Sequence, residues 1–255
     1  MSLGSFLAEW RAVLRSVRIY HLDREHHRAM DALYRRFVQP GDLVFDIGAH
    51  VGDRVSSFRR LGAKVVALEP QPGPACVIAL LEGWRPGVTL ERKAAGAVAG
   101  SLTLKINSRN PTVSTASTEF VRAADGAGGW EGQVWDKEIT VPVTTLEALA
   151  AIHGRPAFVK VDVEGFEDQV LQGLASPVPA LSFEFTTIAR DVASRCLERL
   201  QQLAPYRFNL ALGESQRLGL GDWIDAAAMD RHLQALPHEA NSGDVYAALD
   251  PEKLH

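Results

Sequence analysis

Four apolar runs in this chain carry or end on an acidic residue. Val44-Phe45-Asp46-Ile47 precedes the turn Gly48-Ala49-His50-Val51-Gly52, and Lys64-Val65-Val66-Ala67-Leu68 ends at Glu69-Pro70. Phe158-Val159-Lys160-Val161-Asp162-Val163-Glu164 alternates apolar with charged residues, and Leu181-Ser182-Phe183-Glu184-Phe185 holds one more acid. A carboxylate at such a place can accept two hydrogen bonds, hold a cation or take a proton. Buried charge is tolerated only when paired. Lys160, Asp162 and Glu164 share one side as long as the chain stays extended, so the sequence predicts that they form a network. Lys160 is expected to pair with Asp46 or Asp162 rather than to do chemistry.

The turn after the first run suggests what binds. A strand, a tight glycine turn and the helical run Asp53 to Arg60 make the first half of a nucleotide-binding unit. Gly48 permits unusual backbone angles, and the missing Cβ at Gly48 and Gly52 is expected to let a ligand approach the backbone. The helix behind presents free N–H groups. A dinucleotide site would read Gly-x-Gly-x-x-Gly with pyrophosphate on the helix N-terminus. Here the glycines are spaced Gly-x-x-x-Gly, with Asp46 two residues before the first. That carboxylate would repel pyrophosphate and attract a cation. It suits S-adenosylmethionine, which has a positive sulfonium, an amino-acid end and no phosphate. Glu69, some 20 residues on, is placed to accept hydrogen bonds from ribose hydroxyls.

A length of 255 residues fits one α/β domain with additions, and 46% hydrophobic residues are enough to fill its core. A net charge of −4 gives no broad basic surface for nucleic acid. Cys76 and Cys196 are isolated, read as packing residues, and suit a reducing cytoplasm. No apolar run approaches a membrane span, and Glu9, Arg11, Arg15 and Arg18 interrupt the N-terminal apolar residues, leaving no signal-peptide core.

The positioning elements follow from periodicity. Phe6, Leu7, Trp10, Val13, Leu14 and Val17 recur at helical spacing, as do Met30, Leu33, Tyr34 and Phe37. They predict an N-terminal helical arm over residues 1–40, in two pieces, capping the sheet or covering the cofactor cleft. His21, His26 and His27 between them read as surface or packing residues. A single domain then runs over 41–255. Val88 to Glu91 reads as a third strand, leading to the small residues Ala94-Ala95-Gly96. Residues 97–143 break the alternation of strand and helix. The half-exposed strands Ser101–Ile106 and Lys137–Val143 flank a Ser/Thr/Asn-rich stretch and a glycine loop carrying Trp130, with Trp135 after it. Two tryptophans are a costly decoration for a surface, so this insertion is expected to be a lid. Thr144-Thr145-Leu146-Glu147 has capping-box spacing and predicts a helix to about His153. Glu167 and Asp168 read as a helix start. Arg207–Leu212 and Asp244–Leu249 read as the last strands.

The segments GDLVFDIGAHVG, VVALEP, VTTLEAL, FVKVDVEGFEDQVLQGL and LSFEF, running from Gly41 to Phe185, together resemble the FkbM family of S-adenosylmethionine-dependent methyltransferases. The resemblance implies a Rossmann-like class I methyltransferase fold: a mostly parallel seven-stranded sheet with helices on both faces. It also implies O-methylation of a hydroxyl on a small molecule or glycan. Asp46, Gly48, Ala49, His50, Gly52, Glu69, Pro70, Ala94, Ala95 and Asp162 would then border the cofactor. The chain departs from the family at His50, where Asn is frequent, and at Ala94-Ala95-Gly96, where an acid is usual.

An alcohol is a poor nucleophile at neutral pH, so methyl transfer to oxygen needs a base close by. Asp162, at the carboxyl end of a strand expected to be central, is the first candidate. Glu164, Glu184 and His50 are the alternatives. Asp162 and Glu184 could instead hold Mg²⁺, whose preference is for carboxylate oxygen, but no third ligand is identifiable and no metal site is assigned. A nicotinamide-dependent oxidoreductase is the rival enzyme, disfavoured by the missing Gly-x-Gly-x-x-Gly. A non-catalytic binding module is the other rival, disfavoured by intact Asp46, Gly48, Gly52 and Glu69.

Overall fold

The helical spacing of the first forty residues produces two helices, α1 (Leu3–His21) and α2 (Arg24–Tyr34), in the computed structural model, which describes residues 3–254. The side chains of residues 3–8, Phe6 and Leu7 among them, lie outside the described residues. Asp23 makes the break: its carboxylate accepts the N–H groups of Glu25 and His26 and caps α2. Along α1, Val13 is fully buried with Val51 and Val77, but Leu14 is 59% exposed and does not belong to the inner face. Met30, Leu33 and Tyr34 of α2 join a large cluster beneath the sheet.

The next elements alternate. They are β1 (Leu43–Ile47), α3 (Asp53–Arg60), β2 (Lys64–Leu68), α4 (Pro72–Leu81) and β3 (Val88–Glu91). After the insertion the alternation resumes with α6 (Leu146–His153), β7 (Phe158–Val161), α7 (Glu167–Gln172), β8 (Ala180–Thr186), α8 (Arg190–Leu203), β9 (Arg207–Leu212), α9 (Ala226–Ala235) and β10 (Ser242–Ala248). These strands form one seven-stranded sheet in the order β3-β2-β1-β7-β8-β10-β9, and β10 runs antiparallel to both its neighbours. Side chains of β1 alternate across it. Phe45 and Ile47 enter one buried cluster and Val44 the other, so both faces are covered. The chain leaves β1 toward β2 and later returns on the other side at β7. That switch of direction opens a crevice at the carboxyl ends of the central strands.

The insertion builds a second sheet of β4 (Ala94–Ala95), β6 (Lys137–Thr144) and β5 (Gly100–Ile106), in that order. Ala94 and Ala95 are thus an edge strand paired with Val143 and Thr144, more than a turn. Between β5 and β6 the chain includes α5 (Thr118–Ala124). Trp130 is only 8% exposed and meets Phe120 edge-on at 5.1 Å. Trp135 donates its indole N–H to the Val113 carbonyl at 2.8 Å. The arm reaches this region too: Arg15 bonds the Arg109 carbonyl, and Glu9 pairs with Lys137 at 3.1 Å.

The start of α6 differs in detail from the capping box. Thr145 is the cap, accepting the Ala148 N–H, and Glu147 turns away to Arg155 and the backbone of Ala175 and Ser176. Cys196 is buried and Cys76 half-buried; both are free thiols. Among the described residues no helix is long and apolar enough to cross a membrane.

Candidate active site

A cleft of about 260 Å³ lies at the carboxyl ends of β1, β2, β7 and β8, roofed by the insertion and bordered by α1. Asp46, Gly48, Ala49, His50, Glu69, Pro70, Ala94, Ala95, Asp162, Glu164 and Glu184 all line it. Of the residues predicted to border a ligand, only Gly52 does not. A Cβ there would meet the Ile78 side chain at 3.0 Å, and its φ of +82° makes it the left-handed residue from which α3 starts. Gly48 is excluded from carrying a side chain as well. At φ +81° a Cβ would fall 1.8 Å from the Asp162 carbonyl oxygen. At both positions chain packing and backbone angle already require glycine, and Gly48 also faces the cleft.

The cofactor-side acids are deeply buried. Glu69 accepts the His50 N–H through one oxygen and the Gln71 N–H through the other, both at 2.8 Å. Burial pushes its carboxyl up to about 8 against the pull of those donors. Asp46 has one oxygen without a partner, and burial pushes it up to about 7 against the attraction of Lys160. His50 holds a left-handed φ of +47°, its ring meets Tyr20 edge-on at 5.8 Å, and its Nε2 has no partner. Burial pushes that imidazole down to about 4, so it is neutral at physiological pH.

Across the switch point the charges form a chain. The Lys160 ammonium, 1% exposed, donates to Asp162 and to Asp244, each at 2.9 Å. The expected pairing with Asp162 is present. Asp46 is not bonded to Lys160, and Asp244 on the reversed strand takes that place. Burial works to raise the Asp162 carboxyl, but Lys160 and Arg54 overcome it and hold the group below the usual carboxylate range. β7 ends at Val161, so Glu164 does not continue the extended alternation. It takes a left-handed φ of +56° instead and swings its carboxylate beside Glu184. One oxygen each from Asp162, Glu164 and Glu184 lie within 4.8 Å of one another. Burial and then repulsion from Asp162 raise Glu164 and Glu184 well above the usual range.

Glu167 and Asp168 open α7 as expected, and Glu167 also accepts the N–H groups of Val163 and Gly165, bracing the loop. Sequence reasoning missed Arg54 and Glu214. The Arg54 guanidinium, against the cleft, bonds Asp53 and, at 2.9 Å, Glu214 from the loop after β9. Arg54 stands directly behind the glycine turn and could have been noticed there. Nothing marks Glu214 in advance. His26 and His27 act as packing residues: His27 meets the Tyr20 carbonyl at 2.7 Å, and His26 lies 3.8 Å from Glu214.

Residues 46–210 match the family model of the methyltransferase FkbM domain. No curated protein matches the chain. Among solved structures, the O-methyltransferase from Bacillus cereus in complex with SAH is similar with a TM-score of 0.44 at 9% identity, over 94% of this chain and 90% of that one. Precorrin-6y C5,15-methyltransferase from Geobacter metallireducens GS-15 gives 0.41 at 14%, over 89% and 90%. A putative rRNA-methylase from Clostridium thermocellum gives 0.42 at 10%, over 86% and 92%. The family match spans most of the sheet and both halves of the cleft, and disposes of the nicotinamide-dependent alternative. The chain belongs to the FkbM methyltransferase family and is an S-adenosylmethionine-dependent methyltransferase.

Proposed function

We propose that this chain transfers a methyl group to a hydroxyl oxygen of a small molecule or glycan, with Asp162 as the base. The observation carrying this is a carboxylate kept ionised in the cleft by Lys160, at the carboxyl end of a central strand. S-adenosylmethionine, when bound, supplies the methyl as an electrophile on a cationic sulfur. Asp162 takes the proton that the acceptor oxygen releases as it becomes an ether. The unpartnered Asp46 oxygen and the Glu69 carboxylate fit a group with positive charge and hydroxyl donors. They are proposed to hold it, with Gly48, Ala49, His50, Pro70, Ala94 and Ala95 shaping the walls and Gly52 acting only through α3. Incubating cell extracts with the protein and deuteriomethyl-labelled cofactor should give an O-methylated product. Label found solely on nitrogen or carbon would overturn the hydroxyl assignment.

Two further outcomes follow at this site. Glu69→Ala should weaken cofactor binding by about 1.5–3 kcal/mol, the usual worth of hydrogen bonds to a charged group. Calorimetry showing wild-type affinity in a folded Glu69→Ala protein would remove Glu69 from the cofactor. The insertion is proposed to close over the acceptor, with Trp130 forming part of its inner wall. Cofactor and acceptor together should then slow amide exchange between residues 107 and 136. Exchange that is already slow in the free protein, and indifferent to ligands, would make this segment a fixed wall.

A further inference from the structure

Glu164 and Glu184 pose a separate problem. Lys160 is shared by Asp162 and Asp244, no N–H donor among the described residues reaches either glutamate carboxyl, and Glu184 meets only the neighbouring acid Asp162. Glu164 is 6% exposed, and Glu184 has a buried oxygen without a partner. One buried and one half-buried carboxyl facing the same space ionise only at a cost unless a ligand compensates them. The backbone is committed to that arrangement. Glu164 holds its left-handed φ with its carbonyl fixed by the Thr115 hydroxyl at 2.6 Å. Strain maintained in this way is characteristic of functional sites. Both glutamates lie on the β7/β8 side of the switch point, away from Asp46 on β1.

A divalent ion fits this place poorly. It would need Asp162 as its third ligand, and the Lys160 ammonium sits 2.9 Å from that carboxylate. Magnesium at 2.0–2.1 Å from each ligand would also draw the oxygens to about 3 Å from one another. An organic ammonium asks for less. With charge-assisted bonds of about 2.8 Å, one tetrahedral nitrogen serves oxygens up to about 4.6 Å apart, close to the spacing within 4.8 Å found here.

We propose that Glu164 and Glu184 form a subsite for a protonated amine of the acceptor, so that the acceptor is an amino alcohol such as an amino sugar. This rests on the reading that Asp162 deprotonates a hydroxyl. With Asp162 in the same cluster, the methylated hydroxyl and the amine occupy neighbouring carbons.

The test uses matched probes on the full chain loaded with S-adenosylhomocysteine: D-glucosamine against N-acetyl-D-glucosamine, and 2-aminocyclohexanol against 1,2-cyclohexanediol, measured by calorimetry. The charged member of a pair should bind about tenfold or more tightly, as expected for a charge-assisted contact shielded from water. Glu184→Gln and Glu164→Gln should each abolish that preference without changing cofactor affinity, and melting curves identify a variant that fails to fold. Equal binding of both members, no binding of any amine, or a preference that survives in the folded Gln variants overturns the subsite. So does affinity that chelator removes and Mg²⁺ or Mn²⁺ restores. Product analysis separates this from the hydroxyl reading. Label on the amine nitrogen defeats O-transfer but leaves the charge preference standing, whereas O-methyl product with no charge preference defeats the subsite alone.

Discussion

Replacing Asp162 with Asn is expected to lower the single-turnover rate of methyl transfer by about 10²–10⁴-fold, the usual range for loss of a general base. Cofactor affinity should be unchanged. The substitution preserves shape, and Lys160 retains Asp244 as an anionic partner at 2.9 Å, so the variant should fold. Rate and melting temperature measured on one preparation distinguish chemistry from structure. Wild-type turnover in a stable Asp162→Asn protein would take the role from Asp162 and give it to Glu164, Glu184 or His50. Of these, His50 already offers a neutral imidazole with a free nitrogen.

The second large effect is on stability. Lys160→Met should cost about 3 kcal/mol at neutral pH, because it strands two carboxylates while filling the same space. That figure is the lower end of the range for a broken buried pair, since the Asp162 side chain is 31% exposed. The loss should depend on pH. In the wild type Asp162 titrates below its ordinary 3.8, so its pairing stabilises the fold above about pH 4 and fades as pH falls through the lower folded value. Asp244 behaves oppositely: burial raises its carboxyl even with Lys160 present, and its ionisation costs stability as pH rises. Without Lys160 both groups titrate upward. The variant's deficit should therefore be largest near pH 8 and shrink toward pH 4, read from urea midpoints across that interval. A deficit that does not vary with pH would mean that Lys160 mainly occupies volume.

The acids that sequence reasoning placed correctly share one property. Asp46, Glu69, Asp162 and Glu184 each sit within or just after an apolar run long enough to declare a strand, and the carboxyl ends of parallel strands converge. Asp244 escaped because it lies near the beginning of β10, and the direction of a strand is not written in its composition. Only the antiparallel pairing, Asp244 opposite Glu184, brings it to Lys160. Glu164 was legible as a residue but not as a geometry. The alternation of Lys160, Asp162 and Glu164 suggested one extended face, whereas β7 stops at Val161 and the chain turns through Glu164 and Gly165, both at positive φ. Arg54 to Glu214 is a contact between segments 160 residues apart, and no local pattern encodes it. The glycines carry a packing duty that their spacing does not show. A small residue beside a functional turn reads naturally as room for a ligand, and at Gly48 and Gly52 an added Cβ would also meet the protein itself.

That occupied space at Gly48 bears on how accurately a reaction can be aimed. The Gly48 turn, proposed to carry the methyl donor, and the carbonyl of Asp162 are in direct register, and no side-chain layer between them can compress or slip. Thermal motion that displaces one displaces the other by nearly the same vector, as in any close-packed solid. The separation between the proposed donor platform and the proposed base therefore varies less than either position does alone. In-line displacement, which is penalised steeply by ångström errors of alignment, is insulated from the breathing of the surrounding sheet.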